Sequence, residues 1–270
     1  MLTLGIETAT QVSSVALLRD GVLAAELIQE GRLTHSETLL PHIKQALRMA
    51  GAAKEELTGI AVSIGPGSFT GLRIGLATAK ALAYALRLPL VGVPTMQALA
   101  LHYPVPGLTI FSLVDAQKKN TYLERYTWQT GEAGLMLHIE TPVHVLPLAD
   151  AVAAAKALAE RGEKVVLLGD VVQKKILPKR AAWALPAGVL LPPPELCMPR
   201  AAHVAVRGAA LLAAGQASNV MDLEPLYIRR SAAEEMYVRT HGEDATTAVT
   251  PAEAKSLAAH EAHGTREVSR

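Results

Sequence analysis

This sequence has almost no net charge and only one cysteine. Its 26 Lys and Arg residues against 25 Asp and Glu residues give a formal net charge of +1. A protein that holds a nucleic acid by itself usually carries a broadly basic coat, so this balance argues against an independent nucleic-acid binder. The only cysteine, Cys197, has no second cysteine with which to form an intrachain disulfide.

Targeting and membrane-spanning segments are also missing from the sequence. The first residues lack the basic region and the long apolar run of a secretory signal, which predicts a cytoplasmic location. The most apolar later stretch, residues 201–214, is interrupted by His203 and Arg207 and is shorter than the roughly 20 residues that cross a bilayer. We therefore expect no membrane span.

The sequence offers no recognisable metal or nucleophile motif. His35 and His42 are seven residues apart, too far for the i, i+4 ligand pair of a helical metal site, and the His-Glu-x-x-His zinc motif is absent. We expect both histidines, and His260 and His263 near the C-terminus, to lie at the surface. No feature near Cys197 marks it as a nucleophile, which favours a structural thiol.

Apolar residues, in contrast, make up 50% of the 270 residues, enough for two domains. In the first half, three strands precede an alternation of helix, strand, helix, strand and helix. The predicted strands are 2–7, 12–18, 22–29, 57–64 and 90–93, and the predicted helices are 39–50, 72–86 and one that begins near 95. Three strands at the start differ from the strict strand–helix alternation of a dinucleotide-binding fold.

The second half repeats this order more loosely. Its predicted strands are 109–114, 122–128, 135–145, 165–168 and 188–191, and its predicted helices are 148–160, 171–176 and 200–214. The pattern predicts an α/β fold of duplicated ribonuclease-H-like domains, as in actin, sugar kinases and Hsp70-type ATPases, which face each other across a cleft. We expect domains at 1–104 and 105–230, with the last helix able to pack back on the first domain, and a mobile tail at 231–270.

A glycine-rich loop at residues 64–75, IGPGSFTGLRIG, lies where a strand passes into a helix. Its backbone N–H groups and the positive helix end make an anion site, and Gly65, Gly67 and Gly71 allow a close approach. The Lys of a Walker A loop is missing, and the Gly-x-Gly-x-x-Gly spacing is missed by one residue. Two interpretations stay open: a phosphate-binding loop, or a tight corner capped by Ser68 or Thr70.

A second polar turn follows the first strand, where Glu7 and four hydroxyl side chains lie within residues 7–14. Actin-like ATPases hold phosphate and magnesium at this position, although hydroxyl residues are also ordinary in turns. Together the two segments give a candidate nucleotide- or phosphate-binding set of Glu7, Thr8, Thr10, Gly65, Gly67, Ser68, Gly71 and Arg73. An autonomous ATPase or kinase would need carboxylates in the cleft, for which Glu7, Asp115 and Asp170 are the candidates.

Helix 72–86 is apolar on nearly every side and therefore needs cover all round. The chain's own sheet and the preceding helix could supply that cover, or the two helices could also bind a partner subunit of similar shape. The candidate partner interface consists of Leu39, Leu40, Ile43, Leu47, Leu72, Ile74, Ala77, Lys80, Ala81 and Tyr84.

Two basic clusters are present, one at Lys118 and Lys119 and one at Lys174, Lys175, Lys179 and Arg180. Most such clusters are solvated surface. Either could touch a phosphate backbone, but neither has interleaved aromatic residues that would favour base recognition.

The glycine-rich loop and four further motifs resemble the TsaB (YeaZ) family over about residues 1–230. The motifs are LGIET at 4–8, HSETLLP at 35–41, VDA at 114–116 and EPLYIR at 224–229. The resemblance implies a non-catalytic subunit of the bacterial machinery for threonylcarbamoyladenosine at position 37 of tRNA. The catalytic paralogue, TsaD, has a His-x-x-x-His metal pair that this sequence lacks.

The same resemblance implies the partners. The chain is expected to pair with TsaD through the two first-domain helices, to support the ATPase subunit TsaE, and to form a homodimer when alone. It implies no metal and no cofactor of the chain's own, ATP or ADP at most at a subunit interface, and tRNA contact only through the complex. An autonomous actin-like ATPase or kinase stays an alternative, and a metallopeptidase is a weaker one.

Overall fold

A three-stranded antiparallel meander begins the chain, and it consists of β1 (Leu2–Glu7), β2 (Val12–Arg19) and β3 (Val22–Glu30). The computed structural model describes residues 1–30, 35–131 and 134–228. Asp20 and Gly21 join β2 to β3 with φ values of 50° and 81°, as a two-residue hairpin turn requires. The predicted antiparallel meander is thus confirmed.

Two strands parallel to β1 complete the first sheet, β4 (Gly59–Gly65) and β5 (Leu90–Pro94), in the order β3-β2-β1-β4-β5. Helices α1 (His35–Met49) and α2 (Phe69–Leu86) pack on one face of this sheet. The short helix α3 (Thr95–Ala100) follows β5 and is buried along its whole length.

The second sheet repeats the topology of the first. It contains β6 (Leu108–Asp115), β7 (Asn120–Gly131), β8 (Gly134–Pro147), β9 (Lys164–Leu168) and β10 (Val189–Leu190). Its order is β8-β7-β6-β9-β10, so in both sheets the third, second, first, fourth and fifth strands lie side by side. Helix α4 (Leu148–Glu160) packs on this sheet, and a π-helical turn (Val172–Ile176) and α5 (Arg180–Trp183) follow β9. The duplicated ribonuclease-H-like fold class is confirmed.

The last helix, α6 (Ala201–Ala213), lies on the face of the first sheet opposite to α1 and α2. Beyond it, Ser218 N donates to Leu90 O at 2.8 Å, and Leu226 N donates to Ile64 O at 2.7 Å. We call residues 214–228 the return segment. The C-terminal part of the described chain therefore packs against the first sheet.

Helix α2 begins at Phe69, three residues before the predicted start. Ser68 is its N-cap, since its hydroxyl accepts a hydrogen bond from Gly71 N at 3.3 Å. The division into domains near residue 104 stays a prediction, and the predicted tail at 231–270 lies outside the described residues. Within the described ranges, no helix is long and apolar enough to cross a membrane.

Candidate functional site

The glycine-rich loop packs directly against the turn between β1 and β2. Ser68 N donates to the carbonyl oxygen of Ala9 at 2.6 Å. A Cβ atom at Gly67 would overlap that same carbonyl oxygen, and one at Gly71 would overlap the carbonyl oxygen of Thr8. The glycines are needed because two stretches of backbone meet here, and a protein carbonyl occupies part of the loop's anion-binding face.

Two hydroxyls of the polar turn, those of Thr8 and Thr10, also bond within the chain. Thr8 Oγ1 donates to Gly71 O at 2.9 Å, and Thr10 Oγ1 accepts from Val12 N at 3.2 Å. His35 Nε2 lies 3.0 Å from Thr10 O, so this half-buried histidine joins α1 to the turn. The expectation that His35 lies at the surface was wrong, because the sequence does not reveal which backbone carbonyl faces α1.

Glu7 is completely buried beneath the turn. One carboxyl oxygen accepts a hydrogen bond from Ala9 N at 2.6 Å, and the other has no partner among the described residues. Burial raises the pKa of Glu7 to about 7, against the lowering effect of its hydrogen bonds. The buried carboxyl therefore holds its proton more tightly than an exposed glutamate does.

Arg73 and Gly65 contact the return segment. Arg73 Nε donates to the hydroxyl of Tyr227 at 2.9 Å, and its guanidinium lies 3.8 Å from the centre of the Phe69 ring. Gly65 has a φ of 108°, and a Cβ atom there would lie 3.2 Å from Leu226 O. Arg73, one of the eight candidate phosphate-binding residues, is therefore held against the return segment by Phe69 and Tyr227.

The other two candidate catalytic carboxylates lie at the carboxyl ends of β6 and β9. Asp170 accepts from Asp115 N at 2.9 Å and pairs with Lys174 Nζ at 3.3 Å, and Asp115 pairs with Lys175 Nζ at 2.9 Å. Burial raises the pKa of Asp170, and Lys174 opposes that shift. These partners occupy both oxygens of Asp170 and one oxygen of Asp115, an arrangement that is typical of structural ion pairs.

The described residues also give little support to metal or thiol chemistry. They include no group of three or more His, Cys, Asp and Glu side chains that could hold a metal ion. Cys197 is buried, and burial raises the pKa of its thiol to about 12, so the thiolate that reacts or binds metal is scarce.

The predicted partner interface divides into core and surface residues. Leu39, Ile43 and Leu72 are at most 4% exposed. This corrects the predicted set, because these three side chains are buried inside the protein and present no surface. Leu47, Ile74 and Lys80 are half-buried, and Leu40, Ala77, Ala81 and Tyr84 are exposed.

On α2 the exposed residues follow a helical spacing. We call Ala77, Ala81 and Tyr84 the α2 stripe, since positions three and four apart share a face. Tyr84 is 76% exposed, and Lys80 Nζ beside the stripe donates to Met221 O at 2.9 Å. An open groove of about 520 Å³ lies at the end of α2, lined by Ala83, Tyr84, Ala85, Arg87, Leu88 and Val220.

Comparison with known proteins assigns this arrangement to a family. The chain is 30% identical over 242 residues to the tRNA threonylcarbamoyladenosine biosynthesis protein TsaB of Escherichia coli, covering 86% of this chain and 96% of that protein. The chain belongs to the TsaB family. The TsaB of Bacillus subtilis is 31% identical over 169 residues, covering 63% of this chain and 71% of that protein.

A solved relative and a family model agree with TsaB membership. YeaZ from Pseudomonas aeruginosa superposes with a TM-score of 0.66 and 25% identity, over 84% of this chain and 99% of that one. The model of the family TsaD, tRNA N6-adenosine threonylcarbamoyltransferase, matches residues 29–134. This match takes in the glycine-rich loop, α1 and α2, and less than half of the chain.

Proposed function

We propose that this TsaB-family chain is a non-catalytic scaffold and activator subunit for threonylcarbamoyladenosine formation at position 37 of tRNA. It pairs with the catalytic transferase paralogue TsaD, stabilises it, and supports recruitment of the ATPase subunit TsaE. The observation that carries the proposal is the α2 stripe, an exposed row of small residues next to a large aromatic one, in a chain of this family.

The chemistry of the candidate residues supports a role without catalysis. Glu7 is completely buried beneath the turn and bonded to Ala9 N, and Asp115 and Asp170 are paired with lysines. A phosphoryl-transfer enzyme instead needs carboxylates that are free to hold a metal ion or to take a proton. The chain therefore offers support for an active site in a partner more readily than an active site of its own.

The helix surface supports pairing. Ala77 and Ala81 allow another helix to approach closely, and Tyr84 supplies a large side chain of the kind enriched at interfaces. The free chain forms a homodimer through the same surface. TsaD displaces the second copy of the chain when it binds. The chain has no cofactor of its own. Any ATP or ADP binds at the boundary between subunits.

Reconstitution tests the proposal. The modified adenosine formed in tRNA is measured with the complete system, with the system lacking this chain, and with this chain alone. We expect modification only when TsaD and this chain are both present. Transfer by the chain alone, or full activity without it, would contradict the proposal.

A calorimetric titration separates the alternative of an autonomous ATPase or kinase. Mg-ATP is titrated into the chain without any partner. The scaffold proposal predicts no tight binding, because the Ala9 carbonyl and Ser68 N already bond to each other at the loop. Tight one-to-one binding would favour the autonomous enzyme.

A further inference from the structure

The two basic clusters form one surface at the carboxyl edge of the second sheet. Strands β6 and β9 pair in parallel, with Ser112 opposite Leu168, so the residues after both strands lie at the same edge. We call this surface the basic patch, and it contains Lys118 and Lys119 after β6 and Lys174, Lys175, Lys179 and Arg180 after β9. The fold thus joins cations that the sequence places more than 50 residues apart.

Asp115 connects the two parts of the basic patch. One of its carboxyl oxygens accepts a hydrogen bond from Gln117 N at 2.9 Å and pairs with Lys175 Nζ, also at 2.9 Å. The indole N–H of Trp183 donates to Lys175 O at 3.3 Å, so the residues from 176 to 183 fold back towards Lys175. Contacts of Asp115 and Trp183 therefore link the two groups of cations.

The turn that presents Lys118 and Lys119 is strained. Gln117, Lys118 and Lys119 have φ values of 61°, 48° and 66°, three successive left-handed residues of which none is glycine. Leu148 N donates to Lys119 O at 3.0 Å and holds the turn from the start of α4. Such strain is concentrated at functional sites, which makes this turn a candidate binding element.

Ion pairs and exposed cations lie side by side in the basic patch. Lys174 pairs with Asp170 and Lys175 pairs with Asp115, in a chain of net charge +1. Lys119, Lys179 and Arg180 are exposed. Beside them, Arg180 also lines an open groove of about 480 Å³. Exposed lysine and arginine side chains placed together in this way attract a polyanion.

We propose that the basic patch binds the phosphodiester backbone of the tRNA substrate directly. This inference rests on the proposed function, and it differs from the sequence-based expectation that tRNA contacts the chain only through the complex. Lysine and arginine side chains on separate elements can each reach a different phosphate, and such contacts position a nucleic acid without reading its sequence. The binding is therefore expected to depend strongly on salt and weakly on sequence.

Charge reversal tests the proposal in the full chain. A fluorescent tRNA transcript is titrated at low salt with the wild type, with the double variant Lys119→Glu and Arg180→Glu, and with a control double variant, Lys54→Glu and Arg161→Glu. The control makes the same charge change at exposed positions outside the basic patch. We expect the patch variant to raise Kd by about tenfold or more and to lower the salt slope by about 2, one for each lost phosphate contact.

Three results would overturn the proposal. They are equal binding by the wild type and the patch variant, an equal loss in the control variant, and absence of binding by the wild-type chain at low salt. A fourth, equally tight binding of a polyglutamate peptide of the same charge, would reassign the patch to an acidic protein. Pairing with TsaD is measured separately by gel filtration, so a failure of the proposed function and a failure of the patch give different results.

Discussion

The hydroxyl of Thr8 donates a hydrogen bond to the carbonyl oxygen of Gly71, across 63 residues of sequence. The same hydroxyl lies where a Cβ atom of residue 75 would be, and the Thr8 carbonyl oxygen lies where a Cβ atom of residue 71 would be. The glycines of the loop therefore fit the β1–β2 turn, which is the role of a tight corner that begins α2.

Substitution of Gly75 by alanine should destabilise the protein, and the only cause should be overlap of the new methyl group with Thr8. Although alanine favours a helix by about 1 kcal/mol over glycine, the overlap with Thr8 Oγ1 should lower the free energy of unfolding by about 1–3 kcal/mol. Thr8→Ala removes the overlapping hydroxyl, so the double variant should be more stable than the sum of the single variants by about 1 kcal/mol. Urea unfolding measures all four proteins.

Gly71→Ala is the matched comparison. Its Cβ atom would overlap a backbone oxygen of Thr8, which no substitution of that side chain removes. We therefore expect Thr8→Ala to relieve Gly75→Ala much more than it relieves Gly71→Ala. Equal relief at both positions would show that the loop does not pack against the turn as described.

Glu7 should make the protein less stable as the pH rises. Its folded pKa of about 7 lies above the ordinary 4.5, so the folded state binds more protons than the unfolded state between these values. The stability supplied by the protonated carboxyl is fully present below about pH 4.5 and is lost as the pH rises to about 7, a change of about 3 kcal/mol.

Comparison of the wild type with Glu7→Gln isolates this effect, because the glutamine does not titrate and the other groups are shared. The difference in free energy of unfolding should shift in favour of the glutamine variant between pH 5 and pH 8. A difference that stays constant over this range would mean that Glu7 is ionised in the folded protein.

Tyr227 should stabilise the return segment against α2. Its ring centre lies 5.0 Å from that of Phe69, and its hydroxyl accepts the hydrogen bond from Arg73. Tyr227→Phe should lower the free energy of unfolding by about 1 kcal/mol or less, and Tyr227→Ala by more, because the ring contact is lost as well. Chemical denaturation measures both variants.

Tyr84→Ala is the control for these variants. This tyrosine is 76% exposed, so its removal should change the free energy of unfolding by no more than about 0.5 kcal/mol. A loss as large as that of Tyr227→Ala would contradict the assignment of Tyr84 to a free surface.

Periodicity predicted the elements of this fold well, because a strand or a helix that covers a sheet leaves its mark on every second, third or fourth residue. It predicted the meander of β1 to β3 and the repeat in the second half. It could not separate Leu72 from Ala81 as core and surface, since both belong to an apolar helix and only the packed sheet decides which side is covered.

Contacts between distant segments were beyond the sequence pattern for a related reason. Arg73 precedes Tyr227 by 154 residues, and their hydrogen bond depends on the path of the return segment. The complete burial of Glu7 likewise follows from packing around the β1–β2 turn. Local residue types suggested a phosphate site, whereas in the folded chain these residues contact other groups of the same chain.

The affinity of the chain for TsaD tests the central claim most directly. Isothermal calorimetry is run with the wild type, with Ala81→Glu in the α2 stripe, and with Ala157→Glu at an exposed position of α4. Both variants should fold, because both alanines are exposed. We predict that Ala81→Glu weakens pairing at least about tenfold, since a charge there is buried without a partner, and that Ala157→Glu pairs as the wild type does. Unchanged affinity of a folded Ala81→Glu variant would contradict the account.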